Sequence, residues 1–141
     1  MSSRTSVRDF YSNKTVLVTG ATGFLGKFIV EKLLSSTNVS RVYILIRSKR
    51  GSGIEERFKV YKEDEIFKFR TPSHMLDRLF PVSGDITSPY LGIDPSMEVV
   101  LTQSVDVVLH SAATVRFNEL LRLVSLFSIN FSFLSSNYYV S

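Results

Sequence analysis

The chain contains no cysteine and only two histidines, and this shortage restricts the chemistry available to it. Without cysteine there can be no disulfide bond and no thiolate ligand for a metal ion. His74 and His110 cannot build a zinc site without carboxylates, and no metal-ligand spacing occurs in the sequence. We therefore expect a globular domain without a metal centre.

Long apolar runs are also missing from the chain. No segment approaches the roughly 20 apolar residues that a membrane-spanning helix needs. Residues 1–9 are mostly polar and lack the apolar stretch of a signal peptide. The expected compartment is therefore the cytosol or a surface that faces the cytosol.

The positive charge of the chain is modest, with a formal net value of +4. The densest basic cluster is Arg47-Ser48-Lys49-Arg50, which is short and has no interleaved aromatic residue. Because nucleic-acid surfaces usually carry longer basic patches, we do not expect nucleic acid as a partner.

The most informative segment joins an apolar run at 15–19 to a helical pattern through Gly20, Gly23 and Gly26. Gly20 suits a tight turn, Gly23 a close approach of phosphates, and Gly26 the packing of a helix against a strand. The amides at the start of the helix would then face a dinucleotide pyrophosphate. The candidate cofactor-binding residues of this turn are Gly20, Thr22, Gly23, Phe24, Leu25 and Gly26. The G-x-x-G-x-x-G spacing departs from the standard fingerprint, so a glycine turn without a ligand is the alternative.

Strand-like runs alternate with helical patterns along the chain. We predict strands at 15–19, 41–46, 80–84 and 105–109, helices near 23–35 and 96–104, and a mainly helical stretch over 48–79 with a break at 71–73. This alternation indicates βαβ units with right-handed crossovers. The expected fold class is α/β: a Rossmann-like, doubly wound parallel sheet, incomplete, with the first four strands in the order 3-2-1-4. A ligand would lie across the carboxyl ends of strands one and four.

Three regions are expected from the composition. Residues 1–14 form a polar arm, residues 15–122 the N-terminal part of an NAD(P)-binding Rossmann domain, and residues 123–141 an apolar tail without a charged residue. Five apolar residues could form a helical stripe: Leu120, Leu121, Val124, Phe127 and Leu134. Because a doubly wound domain normally continues through further strands, we expect a truncated first half.

The end of the second strand distinguishes between nicotinamide cofactors. An acidic residue there would bind the ribose hydroxyls of NAD, but this chain has Arg47, with Lys49 close behind. The guanidinium of arginine is a planar, permanently charged group that suits a 2′-phosphate. This pattern favours NADPH. A solvated basic loop is the alternative, and it explains Lys49 more easily than Arg47.

Two later strand ends carry further candidates. After strand three, the Asp85 carboxylate could accept from the adenine amino group and the Ile86 amide could donate to a ring nitrogen, although a turn aspartate is an equal alternative. After strand four, the small residues Ala112 and Ala113 would leave room for the cofactor. We interpret His110 as structural.

With these residues in place, the chain resembles the alcohol-forming fatty acyl-CoA reductases, the male-sterility-type family of the extended short-chain dehydrogenase/reductase superfamily. The stretches that carry the resemblance are residues 10–27, 42–51 with 56–57, 84–87 with 91–93, 110–118 and 129–130. The resemblance implies reduction of a long-chain fatty acyl-CoA by NADPH, through an aldehyde to a primary alcohol, in two hydride transfers. It also implies a location at the cytosolic face of the endoplasmic reticulum or peroxisome.

The chain departs from the family at its catalytic residues. Members of the superfamily use a Tyr-x-x-x-Lys pair, in which the tyrosine exchanges a proton with the carbonyl oxygen and the lysine lowers the tyrosine pKa. No such pair occurs in these 141 residues. Asn130 aligns with an asparagine of the family's proton relay, but it lacks the other members. No complete catalytic set is therefore expected, and this chain alone is expected to be inactive.

Three functions remain open. The first is the cofactor-binding part of a fatty acyl-CoA reductase. The second is a catalytically inactive NADPH-binding or regulatory fragment. The third is another enzyme of the extended superfamily, such as a thioester reductase. An open edge at strand four would also allow self-association.

Overall fold

A computed structural model describes residues 5–112 of the chain, and the following account refers to these residues. The helices are α1 (Val7–Tyr11), α2 (Phe24–Ser36), α3 (Ile54–Lys62), α4 (Glu65–Lys68), α5 (Ser73–Leu76) and α6 (Pro95–Ser104). The strands are β1 (Thr15–Thr19), β2 (Arg41–Ile46), β3 (Leu79–Ser83) and β4 (Val107–His110), and a short 3-10 segment covers Pro89–Gly92.

The four strands form one parallel sheet in the order β3-β2-β1-β4. Val16 of β1 pairs with Val42 of β2 on one side and with Val107 of β4 on the other. The strand order reverses between β1 and β4, because the chain leaves β1 towards β2 and returns later on the other side. The predicted fold class and strand order are confirmed.

The sheet separates two apolar cores, and alternate residues of each strand point into opposite ones. Val16 and Val18 belong to the core on the side of α2, whereas Leu17 belongs to the core on the side of α6. Because both faces are covered, all five residues of β1 are buried. This explains why the strands are almost continuously apolar in sequence.

Several element boundaries differ from the predictions. β3 begins one residue early, and β4 begins at Val107 because the Val105 amide donates to Leu101 O and ends α6 instead. The predicted polar arm contains the short helix α1. Its start is stabilised by a capping box in which Ser6 and Asp9 bond each other's backbone amides. The predicted helical stripe after residue 119 and the apolar tail lie outside the described residues.

Candidate cofactor site

The tight turn after β1 requires a residue without a side chain at position 20, and Gly20 meets this requirement. Gly20 has a φ of +70°, and a Cβ atom there would lie 2.6 Å from Ala112 Cα. Real Cβ atoms do not come so close to backbone, so only glycine fits without displacing the chain that follows β4. The structure therefore brings two predicted cofactor residues, Gly20 and Ala112, into backbone contact at the point where the strand order reverses.

The same turn determines how α2 sits on the sheet. A Cβ at Gly26 would lie 2.7 Å from Ala21 Cα, so this glycine allows the helix to pack against the end of β1. The Gly23 amide donates to Gly20 O at 3.0 Å, and Gly23 is the N-cap residue of α2. The first turn of α2 thus follows the end of β1 directly, as the glycine spacing predicted.

The start of α2 faces solvent. Gly23 has no side chain to cap the helix, Thr22 and Leu25 are exposed, and Phe24 is 83% exposed. Backbone amides at a helix N-terminus carry partial positive charge and attract anions such as phosphate. The turn therefore offers a glycine-lined cradle with an accessible helix terminus, which fits a dinucleotide pyrophosphate.

Side chains at the ends of β1 and β4 hold the two strands together beside this turn. Thr19 Oγ1 lies 2.6 Å from His110 Nδ1, and Ser111 Oγ donates to Thr19 O at 2.8 Å. Burial lowers the pKa of the His110 imidazole, which favours its neutral form. These contacts fix the segment that leads to Ala112. Thr19 and Ser111 were not predicted as site residues, because only the register of β1 with β4 brings them together.

Arg47 and Asp85, both predicted as cofactor residues, form an ion pair in this structure. Arg47 Nε lies 2.9 Å from Asp85 Oδ2. Partial burial acts to raise the pKa of the Asp85 carboxyl. The two hydrogen bonds from Thr87 and the charge of Arg47 outweigh it together, so the pKa is lowered and the carboxylate is charged at neutral pH. Lys49 lies in the exposed loop that follows Arg47, where it pairs with Ser52 in a short antiparallel bridge.

Gly84 is a site-shaping residue that the sequence argument missed. A Cβ at Gly84 would lie 2.6 Å from Leu45 Cδ1 and 2.6 Å from Leu91 O. The following residues depend on this close packing, since the Asp85 amide donates to Leu91 O at 2.7 Å and Ile86 packs against the core on the side of α6. The Gly-Asp pair directly after a strand was the available signal.

Two of the predicted site residues have no described position in this structure. Ala113 and Asn130 lie outside the described residues.

Within residues 5–112 no group of side chains could hold a metal ion, and no helix there is long and apolar enough to cross a membrane. An apolar groove of about 490 Å³ lies between α1, α2 and Leu109, and none of the predicted cofactor residues lines it.

A parallel sheet in the order 3-2-1-4 with a glycine turn at its switch point defines a Rossmann-like domain, a fold class that binds dinucleotides at this point. Residues 18–132 match the NAD-binding family described as male sterility protein, and the chain belongs to that family. The resemblance inferred from the sequence is confirmed.

Curated relatives of this chain include proteins named as fatty acyl-CoA reductases. A putative fatty acyl-CoA reductase of Drosophila melanogaster is 41% identical over 120 residues, which cover 82% of this chain and 23% of the relative. Fatty acyl-CoA reductase 1 of Homo sapiens is 38% identical over 120 residues, covering 83% of this chain and 23% of the relative. The chain thus spans about a quarter of the length of these relatives.

Among solved structures, the chain is similar to the terminal R domain from the myxalamid PKS-NRPS biosynthetic pathway. The TM-score is 0.72 at 29% identity, over 89% of this chain and 32% of that domain. The reductase (R) domain of a non-ribosomal peptide synthetase from Mycobacterium tuberculosis gives a TM-score of 0.65 at 30% identity, over 86% of this chain and 30% of that domain. These similarities agree with the strand order and with a reductase fold.

Proposed function

We propose that this chain carries the NADPH-binding part of a fatty acyl-CoA reductase, whose full-length form reduces a long-chain fatty acyl-CoA to a primary alcohol. The observation that supports it most is the backbone contact of Gly20 with Ala112 beside an open helix start. Glycine at Gly20 and at Gly26 is required by the close packing of this turn against the protein's own backbone. This packing presents the exposed N-cap Gly23 and the start of α2 to solvent, where a pyrophosphate can approach the backbone amides.

Each predicted residue has a role in this proposal. The amides near Thr22, Phe24 and Leu25 bind the pyrophosphate, and the glycines give it room. Asp85 and the Ile86 amide contact the adenine, while Ala112 and Ala113 leave space for the nicotinamide ribose. The bound cofactor would supply the hydride; the described residues bind and orient it.

The preference for NADPH is assigned to Arg47, with Lys49 as a second cation. The Arg47 side chain is 71% exposed and lies at the carboxyl end of β2, where a ribose 2′-phosphate would lie in this fold. We expect Arg47→Ala to raise the dissociation constant for NADPH about tenfold, the size of one charge-assisted hydrogen bond, and to leave that for NADH nearly unchanged. Fluorescence titration with each cofactor measures this. Equal affinities of the unmodified chain for NADPH and NADH would contradict the assignment.

The long-chain acyl-CoA substrate is proposed from the relatives. The proteins at 38% and 41% identity are named for fatty acyl-CoA, whereas the two reductase domains from peptide-synthetase and polyketide systems are 29% and 30% identical. A thioester reductase is therefore the weaker alternative. The experiment uses a full-length reductase that contains this segment. It is incubated with acyl-CoA and, separately, with a carrier-protein thioester, and the rates at which the two substrates are reduced are compared.

These 141 residues are not expected to turn over acyl-CoA themselves, because no Tyr-x-x-x-Lys pair is present to move the proton. A catalytically inactive NADPH-binding or regulatory role is the corresponding second candidate. Chromatographic detection of alcohol after incubation with acyl-CoA and NADPH tests this point. Alcohol that appears only in the presence of the chain would show that the pair is dispensable.

Three further predictions accompany the proposal. The domain division at residues 14 and 122 stays a prediction, and so does the cytosolic face of the endoplasmic reticulum or peroxisome as the compartment. Self-association is expected because β4, among the described residues, pairs only with β1 and leaves its other edge open. A stable monomer in size-exclusion chromatography would argue against self-association.

A further inference from the structure

The ion pair between Arg47 and Asp85 joins two residues that the cofactor argument treats separately. Arg47 would bind the 2′-phosphate, and Asp85 would bind the adenine. In this structure Arg47 Nε is 2.9 Å from Asp85 Oδ2, while the Arg47 side chain stays 71% exposed and that of Asp85 only 24%. The more buried carboxylate is therefore the fixed partner, and the arginine is the group it can orient.

Asp85 is itself held firmly in place. Its Oδ1 accepts hydrogen bonds from the Thr87 amide at 2.9 Å and from Thr87 Oγ1 at 2.7 Å. Its own amide donates to Leu91 O at 2.7 Å, and Leu91 is buried with a φ of +58°. Because a leucine rarely adopts this left-handed conformation, the loop is kept in a special geometry that places the Asp85 carboxylate beside β2.

The ion pair with Asp85 leaves the terminal nitrogens of the arginine available. A guanidinium has five N–H donors, and the contact at Nε leaves the two terminal nitrogens, Nη1 and Nη2, for a bidentate contact with phosphate oxygens. Fixing Nε in advance removes part of the rotamer freedom that an exposed arginine loses when it binds a ligand. The carboxylate also repels a phosphate, but the positive charge of Arg47 offsets this repulsion, and solvent around the 71% exposed Arg47 side chain screens part of it.

We propose that Asp85 is a positioning residue that orients the Arg47 guanidinium towards the 2′-phosphate of NADPH and thereby sets the preference for NADPH over NADH. This inference rests on the proposed function. It differs from an adenine contact, because both cofactors carry the same adenine, whereas only NADPH carries the 2′-phosphate.

The test compares the ratio of the NADH and NADPH dissociation constants in the full 141-residue chain and in Asp85→Asn. The Asn side chain can keep an oxygen for Thr87, and its amide nitrogen then replaces the Oδ2 acceptor that faces Arg47. We expect the ratio to fall about two- to tenfold, the range for one side chain that must be ordered on binding. An unchanged or higher ratio would overturn the proposal, even if both affinities fall together.

Asp94→Asn is the matched control. Asp94 Oδ1 accepts from the amide and hydroxyl of Ser96, as Asp85 Oδ1 does from Thr87, but it forms no ion pair with any residue in 5–112. Asparagine is also as good a helix N-cap as aspartate, so α6 is kept. We expect the same cofactor ratio as in the unmodified chain. A drop equal to that of Asp85→Asn would trace the effect to general loss of acidic charge and would overturn the proposal.

Two more variants separate positioning from misfolding. In an Arg47→Ala background, Asp85→Asn should leave the ratio unchanged, and a further fall there would contradict orientation through Arg47. Thr87→Val removes one bond to Asp85 and should lower the ratio less than Asp85→Asn, with an unaltered circular dichroism spectrum. If the unmodified chain binds both cofactors equally, the proposed NADPH function fails. If it prefers NADPH and Asp85→Asn keeps the same ratio of dissociation constants, only the positioning role fails.

Discussion

The two ends of the candidate site are built by opposite means. At the end of β1, Gly20 and Gly26 have no side chains, so main-chain atoms of neighbouring segments come into direct contact there. At the ends of β2 and β3, Arg47 and Asp85 meet through charged side chains that are partly in solvent. The first region is determined by the close packing of backbone, and the second by charges whose effect depends on their surroundings.

This difference indicates a division of tasks. A pyrophosphate is common to NADH and NADPH, so under the proposed function the region that binds it needs no selectivity and can be rigid. The 2′-phosphate is what distinguishes the two cofactors, so we expect selectivity to reside in the charged side chains. Substitutions in the glycine turn should therefore affect stability and both cofactors, whereas substitutions at the charged pair should affect their ratio.

The largest effect is expected for Gly20→Ala. Alanine at a φ of +70° costs about 1–2 kcal/mol, and the overlap with the Ala112 backbone adds about 1–3 kcal/mol. Chemical denaturation should show a free energy of unfolding lower by about 2–5 kcal/mol, and titration should show weaker binding of both cofactors.

Gly51→Ala is the control for this substitution. Gly51 also has a positive φ, of +86°, but a Cβ there would meet nothing within 4 Å. Only the conformational cost of about 1–2 kcal/mol should remain. If Gly20→Ala is no more destabilising than Gly51→Ala, then the contact with Ala112 is not what requires glycine.

A second charged pair, between Lys27 and Asp64, lies away from the proposed 2′-phosphate position. Lys27 Nζ lies 2.6 Å from Asp64 Oδ2, which ties the first turns of α2 to the N-cap of α4. The hydrogen bond from Lys27 is the largest of the effects that lower the pKa of Asp64. Asp64→Asn should lower the free energy of unfolding at pH 7 by about 1 kcal/mol and leave the cofactor ratio unchanged.

The pH dependence of this effect follows from the sign of the shift. A carboxyl whose pKa is lowered on folding stabilises the protein fully above its unfolded pKa, and this contribution is lost as the pH falls through the folded pKa. The difference between the variant and the unmodified chain should therefore shrink below about pH 4. Asp77→Asn, at an exposed carboxylate, should change stability by less than about 0.5 kcal/mol. A difference for Asp64→Asn that grows in acid would contradict the assignment.

Arg47→Lys tests whether charge alone gives the preference for NADPH. Lysine keeps the positive charge but lacks the Nε donor and the planar guanidinium that can bind a phosphate and Asp85 together. We expect the NADPH preference to fall about threefold, less than in Arg47→Ala, with unchanged thermal stability. A preference equal to that of the unmodified chain would show that the geometry of the guanidinium has no part in selectivity.

The smallest effect is expected from salt. NADPH carries the additional phosphate, and its contact with the exposed Arg47 is screened over a distance of about 10 Å at 0.1 M salt. Raising the salt concentration should weaken NADPH binding about twofold more than NADH binding, as measured by parallel titrations. Equal salt dependence for the two cofactors would argue against a charge contact with the 2′-phosphate.

Much of this fold could be predicted because its signals are local. The apolar run at 15–19 is β1 at the predicted residues, and the run at 41–46 is β2. Prediction was poorer where two elements meet. Val105 belongs to the predicted strand by composition, but its amide bonds Leu101 O, so it ends α6. The choice between a helix cap and a strand depends on which acceptor is nearer, and composition does not show this.

The alternation of strands and helices and the glycine turn can be read from the amino-acid sequence, because periodicity and backbone sterics act within a few residues. The contacts of Arg47 with Asp85 and of Thr19 with His110 are established only when the sheet is assembled. These contacts join residues that are distant in the chain. They depend on strand register and on side-chain rotamers, which are set when the whole sheet packs between its two cores.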